Sequence, residues 1–170
     1  MGTMHVAPRR EVEAFRVRSL TLGVTVLVAL LFQTFLPIKI PLAGLMDFPL
    51  LVTVYFTLVR QNKIFGIALG TSLGLMQDAL SHGYLGMFGM AKALVGYLAA
   101  YAAVRFNVES VFARSVVTAS IVLLHNLCMA GLQHALLDSP PAFLVLDLAS
   151  AVLVNVALSL IVFPVLDRFR

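Results

Sequence analysis

Charge is scarce in this chain: 12% of its 170 residues are Asp, Glu, Lys or Arg, against 61% hydrophobic residues and a mean hydropathy of +0.99. Soluble domains carry about twice that charged fraction, so the composition excludes a water-soluble globule and describes a chain whose solvent is lipid. Cysteine occurs once, at Cys128, which rules out an intramolecular disulfide. Its apolar neighbours mark it as a small buried hydrophobe rather than a nucleophile. Metal ligation lacks its usual spacing, since His5, His82, His125 and His134 occupy separate segments with no H-x-x-x-H and no cysteine pair. A glycine-rich loop ending in Lys-Ser or Lys-Thr is also missing, so neither a nucleotide nor any other cofactor is expected. Breaks between apolar runs stay within about a dozen residues, too short for an inserted soluble domain. One membrane domain over 1–170 is the expectation.

What is present is a series of six apolar runs, at about 19–36, 47–59, 64–80, 85–104, 115–137 and 143–165. Residues 1–18 form a basic segment ahead of them. The first run follows that segment as a signal peptide would, but no small-residue cleavage site succeeds it, and it is read as an uncleaved span. Pro37, Lys39, Pro41, Gly44 and Asp47 punctuate the first outer loop. The second run is short for a hydrocarbon core of about 30 Å unless residues 42–46 contribute. Ten of the twelve Lys and Arg residues fall at alternate breaks: Arg9, Arg10, Arg16 and Arg18, then Arg60 and Lys63, then Arg105 and Arg114, then Arg168 and Arg170. Basic residues near span ends stay cytoplasmic, so both termini are predicted inside. Scattered in this way, they orient the chain and are not a nucleic-acid face, although they can meet anionic headgroups.

Within the third run Gly66, Gly70 and Gly74 recur every fourth residue, and the fourth carries Ala93, Gly96, Ala100 and Ala103. Small residues on one helix face permit the close approach by which helices associate in lipid, so spans three and four are predicted to form a tight hairpin. Ionisable groups inside a membrane cost about 2.5–3.5 kcal/mol at the centre and need a partner or a task. Asp47, Asp78, Lys92 and Asp147 all fall in the outer half on this topology, with Lys92 about 9 Å inside span four. Asp78 is expected to reach Lys92 across the hairpin, with Asp147 as the competitor. These charges either neutralise one another or form a polar site open to the outside. Deeper, His125, Asn126 and Asn155 are expected to hydrogen-bond between helices. The inner halves carry almost no titratable groups, which disfavours a proton path.

Gly70-Thr71-Ser72-Leu73-Gly74 spells G-x-S-x-G, the nucleophile turn of many hydrolases. That motif needs a strand before it, whereas these residues lie in an apolar helical run whose glycines are explained by packing. An intramembrane serine protease, with His125 as the base of Ser72, is the minor alternative.

The segment 70–96, GTSLGLMQDALSHGYLGMFGMAKALVG, resembles the LGLxxDxxSxxxLG region of the bacterial rod shape-determining membrane protein family MreD. Asp47-Phe48-Pro49 with Tyr55 and Arg60 is similar to that family's second span, and Phe163-Pro164 with the terminal arginines to its last. The resemblance implies an all-α integral membrane protein of the bacterial inner membrane, with a fold similar to the substrate-binding subunits of energy-coupling-factor transporters. It further implies a non-catalytic scaffold acting with MreC, the MreB filament and the synthases RodA and PBP2 in sidewall peptidoglycan synthesis. Asp78 matches the family's acidic position, and Gly86 one of the small positions after it. Lys92 has no counterpart there. A partner-binding surface formed by Gly66, Gly70, Gly74, Asp78, Gly86 and Gly96 is the resulting expectation, holding the transmembrane helix of MreC. A small-molecule capture subunit is the alternative.

Overall fold

A computed structural model describes residues 19–81, 84–108, 110–137 and 145–169. Within these the chain is all-helical: α1 Ser19–Lys39, a 3-10 turn Pro41–Leu45, α2 Phe48–Arg60, α3 Lys63–Ser81, α4 Met87–Arg105, α5 Val111–Leu137 and α6 Val145–Arg168. No strand occurs among the described residues. All six helices, α2 taken together with its preceding turn, are long and apolar enough to cross a membrane. Asp138, Ser139, Pro140 and Pro141 in the break between the fifth and sixth runs, the basic segment 1–18, and His82 and Gly83 lie outside the described residues.

The short second helix is the centre of the molecule. Its 13 residues rise about 20 Å, too little to span alone, and the 3-10 turn supplies the rest by extending the apolar segment to 42–60. Every residue from Pro49 to Leu58 is buried, because α1, α3, α4, α5 and α6 all touch α2. A helix surrounded by others has no polar face, and α2 accordingly places Leu50, Leu51, Val54, Tyr55 and Phe56 in one core with Leu73, Val95, Ala99 and Val122. The opposite condition holds outside, where Leu20, Ile64, Leu85, Phe112 and Leu146 are each at least three-quarters exposed. Such a surface is stable only in an apolar solvent.

Helix α6 runs on to Arg168 rather than 165, and the ends of α1 and α5 differ from the sequence expectation for local reasons. Helix α1 continues through Pro37 to Lys39, because proline so near a C-terminus forfeits one hydrogen bond and leaves the rest intact. Helix α5 begins at Val111 rather than 115, since Ser110 Oγ accepts the Ala113 amide at 3.1 Å and caps it. Arg114 therefore belongs to the first turn of α5. The turn between α2 and α3 is closed by Gln61 in a left-handed conformation (φ 52°) and by Asn62 Oδ1, which accepts the Phe65 amide.

Candidate functional site

Helices α3 and α4 form the hairpin that the small residues predict, and they meet backbone to backbone. A Cβ on Gly70 would strike the Lys92 carbonyl, one on Gly74 the Phe88 carbonyl, and one on Gly66 the Gly96 carbonyl; Gly96 meets Gly66 in return. At such separations Cα–H groups and carbonyls replace side chains as the contact. In this geometry the faces of Gly66, Gly70, Gly74 and Gly96 are occupied by the other helix of the hairpin. Gly86 contributes differently, adopting φ +99° in the turn that starts α4.

Asp78 also departs from expectation. Both of its carboxylate oxygens are consumed by the start of α4: Oδ2 accepts the Gly86 and Gly89 amides at 2.9 and 3.2 Å, and Oδ1 the Phe88 amide at 3.1 Å. The first N–H groups of a helix lack intrahelical acceptors and carry the positive end of its dipole, so a buried carboxylate is best satisfied there. Asp78 thereby ties the end of α3 to the start of α4.

Lys92 lies one turn beyond Phe88 and pairs with Asp47, Nζ to Oδ2 at 2.6 Å. The lysine is completely buried and the carboxylate nearly so. His125 Nε2 stands 3.3 Å from the same oxygen, while Asp47 Oδ1 accepts the Leu50 amide at 2.9 Å and caps α2. Asn155 completes the arrangement from α6. Its Oδ1 accepts the Asp47 amide at 2.9 Å, and its Nδ2 donates to the carbonyls of Leu45 and Ala151, both at 2.8 Å. The Asp47 carboxylate thus gathers α2, α4 and α5, and its main-chain amide holds α6 through Asn155, in a geometry where each charge and most lone pairs are satisfied. The Phe88 ring lies between the cation and the imidazole, 4.8 Å from Lys92 Nζ and stacked on His125 at 6.2 Å.

Of the polar residues expected between helices, His125 and Asn155 are there; Asn126 instead donates to the Val122 carbonyl of its own helix. Asp147 stays out of the ion pair and is exposed at the mouth of a cavity of about 210 Å³ beside Asp47. Gln77, Phe88, His125 and Asn155 also line this cavity. Two buried atoms of its lining have no hydrogen-bond partner, Gln77 Oε1 and His125 Nδ1. Ser72 is exposed in the middle of α3, not on a strand-to-helix turn, which removes the structural context a hydrolase nucleophile needs. Among the described residues no group of three or more His, Cys, Asp or Glu could hold a metal.

A second polar cluster, at the other end of the bundle, escaped sequence reasoning. Asp167 accepts the Tyr55 hydroxyl at Oδ1 and Arg114 at Oδ2, both at 2.8 Å, and Arg114 Nε donates to the Val108 carbonyl at 3.0 Å. In one dimension Arg114 is only an orientation signal. A basic residue at the start of one span and an acidic one at the end of the next are adjacent when the two helices are antiparallel, and that was the available clue.

A short buried helix ringed by five others, clamped at both ends by charges, defines a multi-pass, all-helical membrane protein organised by packing. Residues 13–169 match the family model described as rod shape-determining protein MreD. With nearly the whole chain covered, it belongs to the MreD family, and its role lies in the determination of rod shape. No curated protein and no solved structure matches the chain.

Proposed function

We propose that this protein is a non-catalytic scaffold of the cell-elongation complex in the bacterial inner membrane. It docks the single transmembrane helix of MreC and couples it to the synthases RodA and PBP2 and to the MreB filament. Family membership supports the setting, and alternating basic breaks support an orientation with both ends cytoplasmic.

The observation that carries docking is an apolar groove of about 490 Å³ between α1 and α6, floored by Phe48 and Val52 of α2. Helices α1 and α6 are the least covered spans, with 11% and 22% of their apolar windows buried. Helix α1 leans on α2 and α3, and one bond from Thr21 Oγ1 to the Phe169 carbonyl closes the groove at the end bearing the chain terminus. Along α1 the lining runs from Leu20 to Phe32, about 18 Å or three turns. A cleft of that length, apolar apart from Thr21 and Thr25, suits another helix, because helices in lipid associate through dispersion contacts with shaped surfaces.

Co-purification of tagged MreC with Val24→Trp and Ile161→Trp tests the placement. These side chains are 54% and 67% exposed, so filling the groove leaves the fold intact. At least a tenfold loss of MreC is expected, and full retention would move docking off this face. The rival reading, a small-molecule capture subunit, draws on the cavity beside Asp47, and a soluble ligand retained through purification would favour it.

A further inference from the structure

Two residues that line the cavity beside the Asp47–Lys92 pair, Gln77 and His125, carry buried acceptors without a partner. Gln77 Oε1 is an acceptor by nature and is unpartnered. With the Nε2 hydrogen of His125 turned toward Asp47, its unpartnered Nδ1 is an acceptor as well. Gln77 and His125 are 6% and 4% exposed, so neither atom has bulk water to fall back on. The titratable residues lining the cavity are Asp47, His125 and Asp147; Lys92 stands behind Asp47 and is not part of the wall. An anion would meet two carboxylates and no Lys or Arg among the described lining residues. A cation with several N–H donors finds the Asp147 carboxylate at the mouth and, deeper in the lining, two residues whose buried acceptors lack donors, Gln77 and His125.

Size and position narrow the class. About 210 Å³ corresponds to about seven waters at about 30 Å³ each, which is smaller than a drug-sized pocket and right for a headgroup fragment. Asp147 lies in the first turn of α6 and Asn155 eight residues further on, so the lining extends about 12 Å inward from the helix end. The exposed mouth residues, Gly44 in the 3-10 turn and Asp147, sit where the apolar segments begin, the level at which lipid headgroups lie.

We infer that this cavity binds a primary ammonium group, held by Gln77 and His125 at its base and attracted by Asp147 at its mouth. The inference is independent of the groove between α1 and α6. Its source is either an aminophospholipid headgroup or a small soluble amine, and the test separates the two.

The full chain, purified in detergent, is titrated by native mass spectrometry with dioleoyl-phosphatidylethanolamine, with dioleoyl-phosphatidylcholine, whose nitrogen carries no N–H, and with free ethanolamine. Phosphatidylethanolamine is expected to bind at least tenfold more tightly than phosphatidylcholine. Gln77→Leu is expected to erase that preference, whereas Gln77→Glu, which keeps an acceptor, retains it. If free ethanolamine binds saturably with the same dependence on Gln77 and the two lipids bind alike, the amine is soluble and the ammonium site stands. Equal binding of both lipids with no binding of ethanolamine means that the cavity holds water alone and overturns the inference. A wild-type preference that persists unchanged in Gln77→Leu overturns it as well. Should Gln77→Leu fail to fold, Asp147→Asn at the exposed mouth takes its place, with the preference expected to fall and an unchanged preference overturning the inference.

Discussion

Breaking the buried pair of Asp47 and Lys92 one member at a time should hurt far more than removing both. Asp47→Asn keeps an oxygen to cap α2 at the Leu50 amide but strands an ammonium that has no exposed surface. Deleting one partner of a buried pair costs about 3–5 kcal/mol, because the survivor remains charged in a medium that cannot solvate it. Insertion scales, at about 2.5–3.5 kcal/mol for a lone charge at the membrane centre, agree. Lys92→Met falls at the lower end of that range, since Asp47 retains His125 and the Leu50 amide. The double variant Asp47→Asn/Lys92→Met leaves neither member of the pair charged and should return to within about 1–2 kcal/mol of the parent. Thermal unfolding in detergent can be followed with a thiol-reactive fluorophore, because Cys128 is the only cysteine and is half-buried in α5. At about 2–4 °C per kcal/mol for a chain of this size, the single variants should melt about 6–20 °C lower and the double variant only a few degrees lower. A double variant that loses the sum of the single losses would show that the two residues act separately, and would refute the ion pair as the clamp between α2 and α4.

Leucine at Gly70 collides with the Lys92 carbonyl, whereas a Cβ on Gly23 in α1 would find nothing within 4 Å, so Gly23→Leu serves as its control. Gly70→Leu is expected to lose at least about 1–3 kcal/mol more than Gly23→Leu and to elute as aggregate on size exclusion; equal behaviour of the two would contradict the seam between α3 and α4. In a Cys128→Ser background, Gly44→Cys should react with an impermeant maleimide on intact cells, while Asn62→Cys and Phe169→Cys should react only after permeabilisation. Labelling of Phe169→Cys from outside would reverse the orientation drawn from the basic breaks.

The number of helices and their approximate limits follow from hydropathy alone, because in lipid every backbone amide must be satisfied within its own span and the chain has few other options. Glycine spacing in α3 and small residues in α4 likewise announced their contact, since a four-residue repeat places them on one face whatever else the fold does. The family resemblance was on the same footing, written in one dimension.

Pairing among the polar residues was a different matter. Sequence reasoning offered Asp78 and Asp147 as partners of Lys92, and proximity along the hairpin favoured Asp78. The folded chain assigns Asp78 to the amides of Gly86, Phe88 and Gly89 and leaves Lys92 to Asp47, 45 residues away. The same holds for Asn155, Tyr55, Arg114 and Asp167, whose partners lie across the bundle. Periodicity reveals which face a residue occupies, but a hydrogen bond needs an angle and about 3 Å between two atoms on different helices. That distance is set by how five helices close around α2, a property of their joint packing that no single segment carries.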